Sequence, residues 1–142
     1  MCIRDRISEL EKANSIWPGS EYRTKEIDFQ GYVLDKFQRP TFRYSRQGVS
    51  ITDKTIPVAS TSTEKPGTIR RMLKFTGKEP PSNLYLLLAQ GKFLQADKGY
   101  YDEELFVSVK GGKVLASTGD LRVPIVFENG KSEMEITYRW TD

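Results

Sequence analysis

Short period-two stretches closed by turn residues set the fold class of this 142-residue chain. Leu121, Val123, Ile125 and Phe127 alternate with Arg122, Pro124 and Val126, and Met134, Ile136, Tyr138 and Trp140 alternate with Glu133, Glu135, Thr137 and Arg139. A strand turns successive side chains to opposite faces, so each set lines one surface. Between them stands Glu128-Asn129-Gly130-Lys131. Asn-Gly favours a two-residue type I′ turn because both central positions need positive φ. That turn pairs Glu128 with Lys131 and predicts Ile125 opposite Met134, Val123 opposite Ile136 and Leu121 opposite Tyr138. Pro124 lacks an N–H and asks for an edge position or a bulge.

The same signals recur upstream. A second hairpin is expected over residues 27–46, with Ile27, Phe29 and Val33 in one phase through Gly31, where a missing side chain allows a bulge. Asp35 to Pro40 makes its turn, Phe42 and Tyr44 alternate on the return, and Gln47-Gly48 opens a tight turn into a third strand over residues 49–56. A polar loop at 60–67 precedes strands at 68–76 and 84–89, the latter apolar on both faces and hence central. Further strands are expected at 92–96, 104–110 and 113–117, the last two joined by Gly111-Gly112. Residues 7–14 read as a short helix with Ser8 as its cap, ended by Trp17-Pro18-Gly19-Ser20. Met1 to Arg6 resembles a translated sequencing adapter and is set aside as a non-native leader. The expected organisation is therefore a leader at 1–6, the helix and linker tail of a preceding module at 7–20, and an all-β antiparallel sandwich at 21–142.

Composition narrows the chemistry. The chain has no histidine, and its one cysteine, Cys2, lies in the leader. The commonest general base, the commonest metal ligand and a thiol nucleophile are thus missing from the folded part. The net charge is +3 with cations and anions interleaved, which argues against nucleic acid as a partner. No apolar run approaches the roughly twenty residues of a membrane span.

The remaining candidate groups have ordinary readings. Asp102, Glu103 and Glu104 form a carboxylate cluster, but neighbours along a strand face opposite ways and do not converge on one sugar bond. Asp97, Asp102 and Asn83 lack the spacing of a calcium loop. The Gly111-Gly112-Lys113 and Gly130-Lys131 segments lack the longer glycine pattern and the following helix of a phosphate loop. Without histidine no conventional hydrolytic triad can be assembled. Arg70, Arg71, Arg122 and Arg139 read as strand-face cations paired across the sheet. Tyr85, Tyr100, Tyr101 and Trp140, with Trp17, are the candidate stacking platforms for carbohydrate, against the commoner use of large aromatics in a core or interface.

The string Phe29-Gln30-Gly31-Tyr32-Val33-Leu34-Asp35-Lys36, continued by Arg39-Pro40-Thr41-Phe42-Arg43-Tyr44, resembles a C-terminal β-rich region of large exported proteins of planctomycete, verrucomicrobial and bacteroidete type. Pro81 to Tyr85, Gly99-Tyr100 and Ile136 to Trp140 are similar to its later parts. In those proteins the region accompanies c-type cytochrome or glucose/sorbosone-dehydrogenase-like modules. The resemblance implies a periplasmic or secreted parent, with this domain a non-catalytic accessory module that docks on other modules. It carries over no catalytic residue. The haem-attachment motif Cys-x-x-Cys-His is absent, so no cofactor is expected in this chain. The sandwich also resembles the galactose-mutarotase type, whose active-site histidines are missing here.

Overall fold

Alternating strands need a second layer to bury against, and the chain supplies one by dividing its strands between two sheets. The computed structural model describes residues 6–18, 27–58, 67–116 and 119–140. Among these, twelve strands follow in order: β1 (Ile7–Glu9), β2 (Asp28–Leu34), β3 (Pro40–Arg46), β4 (Val49–Val58), β5 (Thr68–Gly77), β6 (Leu84–Gln90), β7 (Leu94–Ala96), β8 (Gly99–Tyr101), β9 (Leu105–Lys110), β10 (Leu115–Ala116), β11 (Asp120–Pro124) and β12 (Lys131–Trp140). They form a four-stranded sheet, β1-β6-β11-β10, and an eight-stranded sheet, β2-β3-β4-β5-β12-β9-β8-β7. Every pairing is antiparallel. The all-β sandwich expected from the alternation is the architecture observed.

The core lies between the sheets. Leu84, Leu86 and Leu88 of β6 and Leu121 and Val123 of β11 meet Ile51, Leu73, Phe75, Val107 and Ile136 of the large sheet. Burying each such side chain contributes about 1.5–3 kcal/mol. Tyr138 ties the layers together, its hydroxyl donating to the Leu88 carbonyl at 3.0 Å. β6 is central as expected, with Leu87 and Ala89 buried on its far face. That face is covered in part by the segment after β1: Arg122 donates to the carbonyls of Ala13 and Ser15 at 3.1 and 2.6 Å and lies 5.6 Å from the Trp17 ring centroid.

The meander of β2, β3 and β4 forms as expected, with a register shift between Phe29 and Gly31 and with Gly31 at φ 107°. Gln47 and Gly48 make the next turn at φ 43° and 83°. The polar loop expected at 60–67 lies outside the described residues except for Gly67.

Three expectations fail, each because a local pattern does not name its partner. The Asn129-Gly130 turn forms, with φ of 53° and 76°, and the N–H groups of Glu128 and Lys131 each donate to the other's carbonyl at 2.8 and 3.0 Å. The long hairpin beyond it does not form. β11 pairs with β6 in the small sheet, while β12 pairs with β5 and β9 in the large one. Leu121, Val123, Ile125, Met134, Ile136 and Tyr138 all belong to one core, supplied from the two layers instead of lying side by side along one ladder. Alternation specifies the buried face, which both arrangements satisfy. Pro124, the last residue of β11, stands opposite Tyr85 of β6, but the next residue, Ile125, donates to the Leu84 carbonyl at 2.9 Å, so alternation turns the Pro124 nitrogen to the β10 side, where β10 pairs only with Leu121 and Arg122. The Gly111-Gly112 hairpin fails likewise: the chain there leaves β9 in the large sheet for β10 in the small one.

The helix expected at 7–14 is replaced by β1, where Ile7, Ser8 and Glu9 pair with Leu86, Tyr85 and Leu84. So short a helix is marginal in water, whereas the edge of β6 offers backbone partners. Ile7 is fully buried in the common core, so the division drawn at residue 21 does not separate β1 from the sandwich. Residues 1–5 of the leader lie outside the described residues, while the Arg6 carbonyl accepts the Leu87 N–H at 2.6 Å. β8 carries no signal in the sequence, because three residues give too little alternation to read.

The crossover at Gly111 demands glycine. Its φ is 90°, and an added Cβ would meet the Glu133 carbonyl oxygen, whereas one at Gly119 would meet nothing within 4 Å. We expect Gly111→Ala to lower stability by about 2–4 kcal/mol and Gly119→Ala to change it by under about 0.5 kcal/mol, both read from urea unfolding.

Candidate functional site

Large-sheet members of the core cluster come from β3, β4, β5, β9 and β12, and none comes from β2. Among the described residues β2 is an edge strand of the large sheet, and Ile27, just before it, is the last core residue on that side. Of the ten large hydrophobic side chains left exposed among the described residues, five belong to β2 and the turn after it: Phe29, Tyr32, Val33, Leu34 and Phe37. Such a concentration on one hairpin makes it the candidate surface of the fold.

The bulge organises it. Phe29 and Tyr32 are three positions apart and would face opposite ways in a regular strand. The extra residue at Gln30–Gly31 returns Tyr32 to the Phe29 side, opposite Phe42, while Phe29 stands opposite Tyr44. Ring centroids are 5.5 Å apart for Phe29–Tyr44, 6.3 Å for Phe29–Phe42 and 6.1 Å for Tyr32–Phe42, all tilted. Val33 is thereby placed on the opposite face from Phe29, correcting the shared phase read from the sequence.

Asp35 fixes the adjoining turn. Its Oδ1 accepts the N–H groups of Phe37 and Arg39 at 2.8 and 3.0 Å, and its Oδ2 meets Arg39 Nε at 2.9 Å and Lys54 Nζ at 3.2 Å. The Arg39 N–H, with the other donors, holds this carboxyl well below the usual carboxylate range, against the opposing effect of desolvation. Phe37 stands out from the turn, 64% exposed, with Lys36 Nζ and Arg39 Cζ at 5.1 and 4.8 Å from its ring centroid.

The outer edge of β2 pairs with no strand among the described residues. The Asp35 N–H donates to the Arg39 carbonyl at 3.1 Å, and Leu34 stands opposite Pro40, which has no N–H to give. Antiparallel alternation therefore aims the polar groups of Val33 and Asp35 at β3, and the N–H and C=O of Tyr32 and Leu34 at the open edge.

The ring platforms singled out in the sequence are not brought together. Tyr85 shares the outer face of the small sheet with Leu87 and Ala89, by alternation from Leu84 and Leu86 in the core. Tyr100 packs against the core, and Tyr101, 40% exposed, faces the other way, in register with Phe106 and Leu94. Trp140, 38% exposed, ends the inner face of β12, 6.4 Å from Tyr138. The pocket it lines with Thr55, Ile69, Arg71 and Tyr138 holds about 100 Å³, below the roughly 300 Å³ at which ligand pockets begin. A larger hollow of about 790 Å³ lies among the turns around Gly48, Lys78 and Gly130 and is lined by no aromatic ring.

The buried charges are committed to one another. Asp53 receives Arg71 Nε at 2.8 Å and Nη2 at 2.6 Å, and Asp120 receives Arg122 Nε at 2.8 Å and Nη2 at 2.7 Å. Arg46 Nη1 reaches Glu9 Oε1 across the layers at 3.0 Å. Arg70 pairs with Glu135 at 2.9 Å, and Arg139 stacks 4.7 Å from the Phe106 centroid, so these cations serve the sheets as expected. The Asp102 Oδ1 accepts the Glu104 and Leu105 N–H groups at 2.8 and 2.7 Å, a turn role. Among the described residues no three His, Cys, Asp or Glu side chains gather to hold a metal ion.

Two measurements check these electrostatics. The stability that Asp35 adds is full above its ordinary value of 3.8 and is lost as the pH falls below it, so Asp35→Asn is expected to flatten the acid limb of a stability–pH curve. Asp53→Ala strands Arg71 in the interior and is expected to cost about 3–5 kcal/mol by denaturant unfolding, far more than Glu135→Ala opposite the exposed Arg70, at about 1 kcal/mol or less.

The sequence shows the β2–β3 hairpin through its alternation and turn, but that β2 has no outer strand partner among the described residues became visible only with the strand order. Compared with known proteins, the chain matches no family model, no curated protein and no solved structure.

Proposed function

We propose that this chain is a non-catalytic accessory module that docks through the β2–β3 hairpin, within a larger exported protein of the haem-containing oxidoreductase type that the sequence resembles. The observation that carries the reading is the concentration of exposed apolar side chains on one edge hairpin whose outer strand has no strand partner among the described residues. Docking surfaces join an apolar centre to a charged rim, and here Lys36 and Arg39 border Phe37. Rigidity supports the same role, since a turn held by four contacts to Asp35 loses little freedom on binding. The commitment of Asp53 and Asp120 to arginines weighs against their use in acid–base chemistry. Glycan binding is supported less well, because Tyr101 and Trp140 point to opposite faces of the large sheet.

Hydrogen exchange tests this. The Tyr32 and Leu34 amides are compared in the isolated chain at about 1 µM and in the full-length parent, with β5 as the internal reference. Docking predicts at least about tenfold slower exchange at both amides in the parent and unchanged β5 rates. Equal rates in the two settings would remove the docking reading.

A further inference from the structure

We propose that residues 6–17 form a guard strap, which opens as one unit before the sandwich unfolds and whose closure keeps the β6 edge from pairing with a second copy of this chain. The proposal goes beyond the docking reading and uses neither β2 nor its turn.

β1 is the outer strand of the small sheet, so lifting it breaks one ladder and leaves β6 paired with β11. The attachments of the strap are discrete. The Leu87 N–H donates to the Arg6 carbonyl at 2.6 Å and the Leu10 N–H to the Asn83 carbonyl at 3.0 Å. Asn83 Nδ2 and Arg6 Nη1 donate to the Leu10 and Leu88 carbonyls, both at 3.1 Å. Glu9 meets Arg46, and Arg122 gathers the Ala13 and Ser15 carbonyls beside the Trp17 ring. Ile7 and Leu10 are the buried apolar side chains of the strap, while residues 11–14 and Ile16 are exposed. Lys12 and Ser15 bond one another, which holds the piece together locally. An edge segment with so little buried apolar surface opens at far lower cost than the core beneath it.

The strand under the strap reads Leu84-Tyr85-Leu86-Leu87-Leu88-Ala89, apolar on both faces and without a charge or a proline. Such a run is the signature of strands that pair with copies of themselves. Chains protect edges with charges, prolines or a cover. β6 has the cover alone, and the charges along this edge, Arg6 and Glu9, belong to the strap. The bonds from Leu87 to Arg6 and from Leu10 to Asn83 fix the alternation, so Asn83, Tyr85 and Leu87 aim their N–H and C=O groups at the edge that the strap closes. This stretch lies ahead of the register shift that skips Leu88, so it is a regular template once uncovered. A second copy is the occupant it favours, because two uncharged strands bring no like charges together and a two-fold contact repeats every bond.

Two measurements on the full 142-residue chain test the proposal. In native-state hydrogen exchange, the Leu10 and Leu87 amides are expected to exchange together, at least about a hundredfold faster than the Ile136 amide of the core. This arm needs no substitution, so it decides even where a variant loses stability. The second arm follows self-association by light scattering. Glu9→Lys, which sets a second cation against Arg46, and Trp17→Ala, which removes the ring beside Arg122, each speed association about tenfold. Gly111→Ala weakens the sandwich away from the strap and changes the rate by less than about twofold, which separates strap opening from general instability. Tyr85→Lys charges the uncovered edge and, added to Glu9→Lys, returns the rate to that of the unsubstituted chain. Leu10 and Leu87 amides as slow as Ile136 overturn the proposal. So does association that rises as much in Gly111→Ala as in the strap variants, or that Tyr85→Lys leaves unrelieved.

Discussion

The four-stranded sheet shields β4, β5, β9 and β12, and the apolar side chains of those strands are the ones that reach full burial. Beyond β3, whose Tyr44 is buried in the core and whose Arg46 meets Glu9 of β1, the large sheet continues to β2, which adds no side chain to the core cluster. The inner-face residues there are still large and apolar, because the alternation that builds the core does not stop where the cover does. A sandwich of unequal layers therefore ends in a half-covered aromatic ladder. Phe42 and Tyr44 bridge the two regimes: Tyr44 is buried in the core, Phe42 packs against it, and both support the open rings of Phe29 and Tyr32.

Charge inside the sandwich follows the same economy of position. Arg46, Arg71 and Arg122 are nearly inaccessible, and each meets a carboxylate, two of them through paired bonds of good geometry. Replacing such pairs with apolar groups often costs little, so their value lies as much in fixing arrangement as in stability. Arg46 links β3 to β1 across the layers, and Arg122 fastens the segment carrying Trp17 onto the small sheet. These contacts hold the N-terminal strand in place and leave the interior no free acid–base pair among Asp53, Arg71, Asp120 and Arg122.

Much of the fold was legible because its signals are local. The Asn129-Gly130 and Gln47-Gly48 turns, the Gly31 bulge and the central position of β6 follow from residue chemistry within a few positions. What was not legible is which layer each strand joins. Leu121 to Ile125 satisfy the same burial whether they lie beside β12 or face it, so their pattern could not choose between the two. The site was hidden for a related reason. Phe29, Tyr32 and Phe42 read as ordinary strand aromatics, and their exposure depends on strand order and on the width of a sheet built from distant segments. Tyr85, Tyr100, Tyr101 and Trp140 carried equal promise in the sequence, but strand alternation sends them to separate faces.

The proposed docking would set Phe37, 64% exposed, against another module of the parent protein. A photo-activated cross-linker in place of Phe37 in the full-length parent, with peptide mapping, reads that position directly, and Val126, 66% exposed and outside the hairpin, is the control. The predicted result is a link from position 37 to a peptide outside this chain and none from position 126. Links of equal yield from both positions, or none from position 37, would contradict docking through the hairpin.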